Sequence, residues 1–258
     1  MKKTLRDKLS DKLVNAFLKN KIISSIPKKF TKKLTEADRF RKLCESKIKE
    51  PIIGYKAGGT GIPLLKKLKE KEPFYASVYK RNFLKSGKRV KINTSTLGIE
   101  LEVCYLVKKS FFSSKGLITT KNVSRFISHM APCIEVVGYR QKRKGITSFG
   151  DLSSDFGGNV KFLIGQKKKY KKINIGNLKT NIANKKIGQS VNGNTNTVYI
   201  NPLNSLRFVL NELKKDKVTL DKDFYVFTGS TVGVVQILGK GLYTGKIDKL
   251  GSVKAIIH

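Results

Sequence analysis

The chain has 258 residues, which is enough for one sizeable hydrophobic core with a small additional lobe. With 22 glycines and many Val and Ile residues, the composition favours strands over a helix bundle and predicts a β-rich fold. The longest apolar runs are too short for a membrane-spanning helix, and the basic N-terminal segment lacks the hydrophobic region of a signal peptide. We therefore expect a cytoplasmic protein that does not bind membranes.

The net charge is the unusual property of this sequence. Lys and Arg number 54 against 18 Asp and Glu, a formal charge of +36, which raises the question of nucleic-acid binding. The lysines are spread along the whole chain, however, and no nucleic-acid-binding motif accompanies them. A solvated basic surface is favoured over nucleic-acid binding as the interpretation of this charge. The positive field is expected to attract anionic substrates.

The first 50 residues are predicted to form an N-terminal helical lobe. Apolar residues recur at three- and four-residue spacing over 4–23, which is typical of an amphipathic helix. A second helix is predicted over 34–48, and Pro51 ends it before a short strand at 52–56. Residues 51–258 are assigned to the functional domain.

A glycine-rich loop follows at 56–63, and a short helix follows the loop. It lacks the Gly-Lys-Ser/Thr ending of a phosphate-binding P-loop, so one glycine cluster is weak evidence for a nucleotide site. A functional loop remains possible because it separates ordered segments.

The rest of the chain reads mainly as short strands. Alternation and β-branched residues predict them at 74–79, 89–92, 99–107, 133–137, 160–164, 173–182, 225–228 and 253–257. Two intervals, 120–130 and 202–215, are predicted to be helical.

The strand at 99–107 carries two glutamates on one face. Strand alternation places Ile99, Leu101 and the following odd-numbered residues on one side and Glu100 and Glu102 on the other. Like charges on one face repel each other, so the pair predicts a cation, a basic partner or solvent between them. A plain solvated strand face would explain the pair alone equally well.

Glu135 favours the cation, because it lies in an apolar strand where an ionised side chain needs a partner. A salt bridge to one of the many lysines is the simpler explanation for Glu135 taken alone. Together with Glu100 and Glu102, it describes an oxygen-rich site for Mg²⁺ or Mn²⁺.

Other site chemistries have little support. Cys44, Cys104 and Cys133 form no closely spaced metal pair and are predicted to be reduced and structural. His129 and His258 are the only histidines, which argues against zinc, and no Ser or Cys nucleophile motif occurs.

Several segments, in order along most of the chain, resemble one branch of the fumarylacetoacetate hydrolase superfamily, that of 2-keto-4-pentenoate hydratase and 4-oxalocrotonate decarboxylase. They are IGYKAG at 53–58, GIELEV at 98–103, APCIEVVGYR at 131–140, DFGGN at 155–159, NPL at 201–203, FTGS at 227–230 and LGSV at 250–253. Each segment is weak evidence alone, but their order and spacing together make coincidence improbable.

The resemblance implies an α+β fold, a mixed β-roll that follows the small N-terminal helical lobe. It also implies that Glu100, Glu102 and Glu135 hold Mg²⁺ or Mn²⁺. It further implies a metal-dependent lyase acting on a small anionic 2-oxo acid, with Lys56 as the proton-transfer or carboxylate-holding residue. Substrate contacts are expected from four residues: Thr228, Gly229, Ser230 and Arg140. Hydration of 2-keto-4-pentenoate is the favoured reaction, decarboxylation of a 4-oxalocrotonate-type substrate is the alternative, and a homo-oligomer is expected.

This sequence departs from the family pattern at the expected catalytic aspartate. Lys80 or Arg81 stands where the hydratases carry an acidic pair, Gly138 replaces another aspartate, and the Tyr-x-x-Gln helix pattern is absent at 37–41. Loss of a general acid or base lowers rates by orders of magnitude. A catalytically degenerate relative that serves as a binding or assembly module is therefore a further alternative.

Overall fold

The computed structural model describes residues 3–142 and 148–258 and shows an α+β architecture. The α-helices in these ranges are α1 (Leu5–Lys19), α2 (Leu34–Ser46), α3 (Ile62–Leu68), α4 (Phe149–Ser154) and α5 (Pro202–Lys215). Helix α1 begins with a capping box, in which the Thr4 side chain accepts from the Asp7 amide and the Asp7 carboxylate accepts from the Thr4 amide.

The strands form two sheets. The strands are β1 (Ile52–Gly58), β2 (Phe74–Tyr79), β3 (Phe83–Lys85), β4 (Arg89–Val90), β5 (Thr96–Val107), β6 (Ile127–Gly138), β7 (Asn159–Ile164), β8 (Lys168–Lys169), β9 (Lys179–Asn184), β10 (Gln189–Asn194), β11 (Phe224–Ser230), β12 (Gly241–Ile247) and β13 (Gly251–Ile257). The larger sheet has the order β2-β1-β11-β5-β6-β7-β3, with β8 paired to β6, and the smaller sheet has the order β10-β9-β12-β13-β4. Most neighbouring strands are antiparallel, but β1 pairs with β11 in parallel.

The main apolar core lies on one face of the larger sheet. The odd-numbered residues of β5 from Ile99 to Val107 are fully buried there, as the alternation predicts. The smaller sheet covers this face closely, because a Cβ on Gly245 of β12 would lie 2.6 Å from Leu101 Cδ1. The opposite face of β5 is left for Glu100 and Glu102.

The two N-terminal helices build a second apolar cluster. Leu13 and Phe17 of α1 and Phe40 of α2 pack with Tyr79 and Phe156. The Phe17 and Phe156 rings pack in a tilted arrangement with their centroids 4.5 Å apart, so the helices are attached to the strand region through aromatic contacts.

One predicted helix is wrong. Over 120–130 the chain forms a short 3₁₀ turn, Val123–Phe126, and then enters β6, where Met130 pairs with Tyr105 of β5. The apolar spacing was compatible with a helix, but pairing with β5 decides the conformation. The strand predicted at 173–182 likewise begins only at Lys179, after a 3₁₀ turn at Ile175–Asn177.

Among the described residues, four strands lie outside the predicted set: β3, β8, β10 and β12. Strands β3 and β8 have only three and two residues, β10 is an edge strand made largely of polar residues, and β12 contains two glycines, so none of them carries a run of alternating apolar residues. The three cysteines are free and buried, as predicted. Among the described residues, no helix is both long enough and apolar enough to cross a membrane.

Candidate metal centre

The three predicted glutamates meet in the larger sheet. Strands β5 and β6 are hydrogen-bonded neighbours in a register that places Glu100 directly opposite Glu135, and Glu102 opposite Cys133. One ligand oxygen of each carboxylate lies within 4.8 Å of the other two. Like charges directly opposite each other destabilise an antiparallel pair, so this register requires compensation.

Burial makes that requirement stronger. Glu102 and Glu135 are fully buried, and Glu100 is partly exposed to the adjoining cavity. Glu102 Oε2 accepts a hydrogen bond of 3.1 Å from the Gly229 amide, whereas Glu102 Oε1 is buried with no hydrogen-bond partner. An unpartnered carboxylate oxygen beside two other carboxylates is a suitable ligand for a hard divalent cation.

Lys56 on β1 provides partial compensation. Its Nζ lies 2.7 Å from Glu135 Oε1 and 2.9 Å from Oε2, and it also donates to the Gly157 carbonyl at 3.0 Å. With all three glutamates ionised, one lysine leaves two negative charges uncompensated. Arg140 also acts electrostatically on Glu135, but its guanidinium forms a separate salt bridge with Asp155 at 3.2 Å.

The carboxyl groups consequently hold their protons more tightly than usual. Burial first, and then the negative charge of Glu135, raises the pKa of Glu100 to about 7. Burial likewise raises the pKa of Glu102 to about 7, against the opposing effect of Lys56. Burial also raises the pKa of Glu135 well above its ordinary value. The metal-free site is therefore partly protonated at neutral pH.

Metal affinity is expected to rise with pH. Protons compete with the cation for Glu100 and Glu102 through about pH 7, so Mn²⁺ binding is expected to be at least about tenfold weaker at pH 6 than at pH 8. Because the folded-state pKa values of Glu100 and Glu102 are raised, proton binding to these two groups stabilises the metal-free fold. This stabilisation is complete below about pH 4.5 and is lost as the pH rises through about 7. Calorimetric titrations and melting curves, with and without Mn²⁺, measure both effects; an affinity independent of pH would contradict the assignment.

A cavity of about 210 Å³ opens beside Glu100 and Lys56. The glycine-rich loop at 57–61, the Gly157–Gly158 turn and the Gly229–Ser230 end of β11 form its polar and backbone walls. The remaining wall is apolar: Leu64, Phe74, Leu97, Val137, Tyr139, Leu152 and Val234. Among the described lining residues, Lys56 is the only basic side chain.

The predicted substrate-contacting residues divide into two groups. Gly229 and Ser230 line the cavity, whereas Thr228 is fully buried with its hydroxyl donating to the Val103 carbonyl. Arg140 does not line this cavity: beyond the end of β6, it faces a second, separate cavity. The expectation that Arg140 contacts the substrate is therefore not supported by its position.

The replacements for the expected aspartate also lie elsewhere. Lys80 is exposed, and Arg81 forms a salt bridge with Glu50 at 3.1 Å, away from the glutamates. Opposite Lys56, strand β2 presents Ala76. Among the described residues, β2 contributes no carboxylate to the cavity.

Some lining residues had no role assigned from the sequence. Gly157 has a positive φ of 65°, which favours glycine and aims its carbonyl at Lys56. Thr60 approaches Gly229 so closely that a Cβ there would lie 1.9 Å from Thr60 Oγ1. In the sequence, the glycine-rich composition of 56–63 indicated that this loop could belong to a site. No sequence feature indicated the apolar wall, because its residues come from separate segments.

Comparisons with known proteins identify the fold. No family model and no curated protein matches this sequence. Among solved structures, 4-oxalocrotonate decarboxylase from Pseudomonas putida G7, complexed with magnesium and adipate, superposes with a TM-score of 0.84 at 19% identity over 100% of both chains. Fumarylpyruvate hydrolase from Pseudomonas aeruginosa, in complex with Mn²⁺ and pyruvate, gives a TM-score of 0.58 at 12% identity, with 81% of this chain and 90% of that chain covered.

A third similar structure is 5-carboxymethyl-2-hydroxymuconate delta-isomerase from Mycobacterium smegmatis, with a TM-score of 0.56 at 12% identity over 81% of this chain and 80% of that chain. The chain therefore has the fumarylacetoacetate hydrolase-like fold. The fold implied by the sequence resemblance is confirmed, and the decarboxylase structure matches over the full length of both chains.

Proposed function

We propose that this protein is a divalent-metal-dependent enzyme that acts on a small 2-oxo acid. The observation that carries the proposal is the charge of the buried site: Glu100, Glu102 and Glu135 converge, and Lys56 is the only residue that forms a salt bridge with them among the described residues. When all three glutamates are ionised, Lys56 leaves two negative charges uncompensated, and one Mg²⁺ or Mn²⁺ ion would balance them. A hard cation with oxygen ligands matches this set of donors.

When bound, such an ion supplies polarisation of a substrate carbonyl and stabilises negative charge that develops on its oxygen. The protein's own contribution is to hold the substrate against it. Gly229 and Ser230 border the cavity at one side, and Lys56 lies at its base. Similar structures were obtained with magnesium and adipate, and with Mn²⁺ and pyruvate, which supports a carboxylic acid as the class of ligand.

Lys56 is the proposed proton-transfer or carboxylate-holding residue. The neighbouring glutamates raise the pKa of Lys56 despite its burial, so in the metal-free site the lysine keeps its proton. If Glu135 served as a metal ligand, its carboxylate would hold the Lys56 proton less strongly, and Lys56 Nζ could donate that proton more readily. Because β2 offers no carboxylate here, Lys56 must act without the aspartate expected from the family.

The cavity favours a substrate with one carboxylate. Adipate, present in the similar decarboxylase structure, has a carboxylate at each end. Here the wall away from the glutamates is apolar, with Leu97, Leu152 and Val234, and no second basic residue appears among its described members. Burying a second carboxylate against this wall would be costly. Hydration of 2-keto-4-pentenoate is therefore the favoured reaction.

Decarboxylation is the second candidate, favoured by the full-length similarity to 4-oxalocrotonate decarboxylase. The experiment is a side-by-side assay of the purified protein with Mg²⁺ or Mn²⁺, following loss of 2-hydroxypenta-2,4-dienoate absorbance and release of carbon dioxide from 4-oxalocrotonate. We expect metal-dependent hydration, no turnover with EDTA, and little carbon dioxide.

Preferential carbon dioxide release would reverse the choice of reaction. Metal binding without turnover of either substrate would instead favour the degenerate binding or assembly module. Absence of metal binding would overturn the proposal as a whole. Assembly into a homo-oligomer stays a prediction, which light scattering of the same sample measures.

A further inference from the structure

A second cavity, of about 360 Å³, lies apart from the glutamates and has a different character. We call it the basic cavity. Its wall comes from the end of α1, the turn after β2, the segment before β5 and the start of β7. Five basic side chains line it: Lys21, Arg81, Lys91, Arg140 and Lys161. No carboxylate is among its described lining residues.

The two arginines are already compensated. Arg81 pairs with Glu50 at 3.1 Å, and Arg140 pairs with Asp155 at 3.2 Å. They also have aromatic support, since both guanidinium carbons lie within 5.5 Å of the Phe17 ring centroid. These contacts fix the arginines in place as one wall of the basic cavity.

The three lysines are not compensated in this way. Within residues 3–142 and 148–258, no carboxylate lies within salt-bridge distance of Lys21, Lys91 or Lys161. Lys161 is partly buried and donates to the Arg81 carbonyl at 2.6 Å. Burial and the nearby Arg81 charge lower the pKa of Lys161 against the weaker opposing effect of Glu50, whose carboxylate pairs with Arg81.

Neutral polar groups complete the wall between the lysines, chiefly Asn20, Asn82, Asn93, Ser95 and Thr96. A concave site with several ammonium groups and additional hydrogen-bonding side chains is suited to a compact polyvalent anion. The volume lies within the ordinary range for small-molecule sites.

We propose that the basic cavity binds a diphosphate group, either free or as part of a nucleotide. Three lysines balance about three negative charges, the charge of a diphosphate near neutral pH, and lysine binds phosphate as a point charge without needing a fixed geometry. The site is independent of the metal-dependent function proposed above. It also accounts for part of the basic character that the sequence left unexplained.

The test is calorimetric titration of metal-free protein with inorganic diphosphate and, separately, with ADP, at physiological salt. We expect saturable binding of one diphosphate per chain. Lys21→Gln/Lys91→Gln, which alters two exposed side chains, is expected to weaken it by about 10- to 100-fold, roughly tenfold for each charged contact. The matched control Lys185→Gln/Lys186→Gln removes the same charge from an exposed turn and should change the affinity less than twofold.

Three results would overturn the proposal: no saturable binding by the parent protein, equal weakening by both double variants, or binding of RNA and DNA polymers without binding of diphosphate or ADP. Tighter binding of ADP than of diphosphate would identify the nucleotide as the source of the group. Glu135→Gln should change the diphosphate affinity less than about twofold, because Glu135 lies outside the basic cavity and acts on it only through Arg140, and this result separates the site from the glutamate centre.

Discussion

Glu135→Gln is expected to lower the affinity for Mn²⁺ by at least about 100-fold, because it removes one charged ligand while preserving the size of the side chain. Gln still offers a carbonyl oxygen to Lys56, whose Nζ lies 2.7 and 2.9 Å from the two carboxylate oxygens. At a pH where Glu135 is ionised, the variant should also lose up to roughly 3 kcal/mol of metal-free stability, because Lys56 then loses the charge of the carboxylate that it contacts. Calorimetric titration and thermal melting measure the two effects.

Two variants distinguish a metal ligand from a plain salt bridge. Glu135→Gln/Lys56→Met removes both charges and should recover stability relative to the single variant without recovering metal affinity. Glu45→Gln breaks another ion pair, that of partly buried Glu45 with fully buried Arg41 at 2.9 Å, and should lower stability while leaving Mn²⁺ binding intact. If Glu135→Gln retained normal Mn²⁺ affinity, Glu135 would be only the structural partner of Lys56.

Lys56→Met is expected to separate turnover from metal binding. Removal of a proton-transfer group should lower the metal-dependent rate by about 10²- to 10⁴-fold. Mn²⁺ affinity should be retained or increased, because Lys56 competes with the cation for the charge of Glu135. The rate with saturating Mn²⁺ and the Mn²⁺ titration are measured on the same preparation.

Lys56→Arg tests which role the lysine has. Arginine keeps the positive charge but does not give up its proton at working pH. Low turnover in Lys56→Arg would assign proton transfer to Lys56, whereas substantial turnover would assign carboxylate holding. Unchanged turnover in Lys56→Met would remove Lys56 from the catalytic machinery.

The glutamate cluster and most of the strands could be predicted from local patterns in the sequence, whereas the β-roll that joins them was implied by the resemblance of the ordered segments to a known superfamily. Alternation in β5 places Glu100 and Glu102 on one face whatever the strand pairs with, and an ionised Glu135 in an apolar strand requires a partner wherever it lies. The same local patterns correctly placed β2 and α5. They failed over 120–130, where pairing between β6 and β5 overrides helical spacing.

Only the tertiary structure decided which charges meet. The register between β5 and β6 sets Glu100 against Glu135, and the position of β1 brings Lys56 to Glu135 across 79 positions of sequence. The tertiary structure also directs Arg140 towards Asp155 and the basic cavity, whereas the sequence resemblance implies that Arg140 contacts the substrate. A sequence pattern fixes which face of its own strand a side chain occupies; distances between strands depend on pairing and packing along the whole chain, and those distances determine the chemistry of the site.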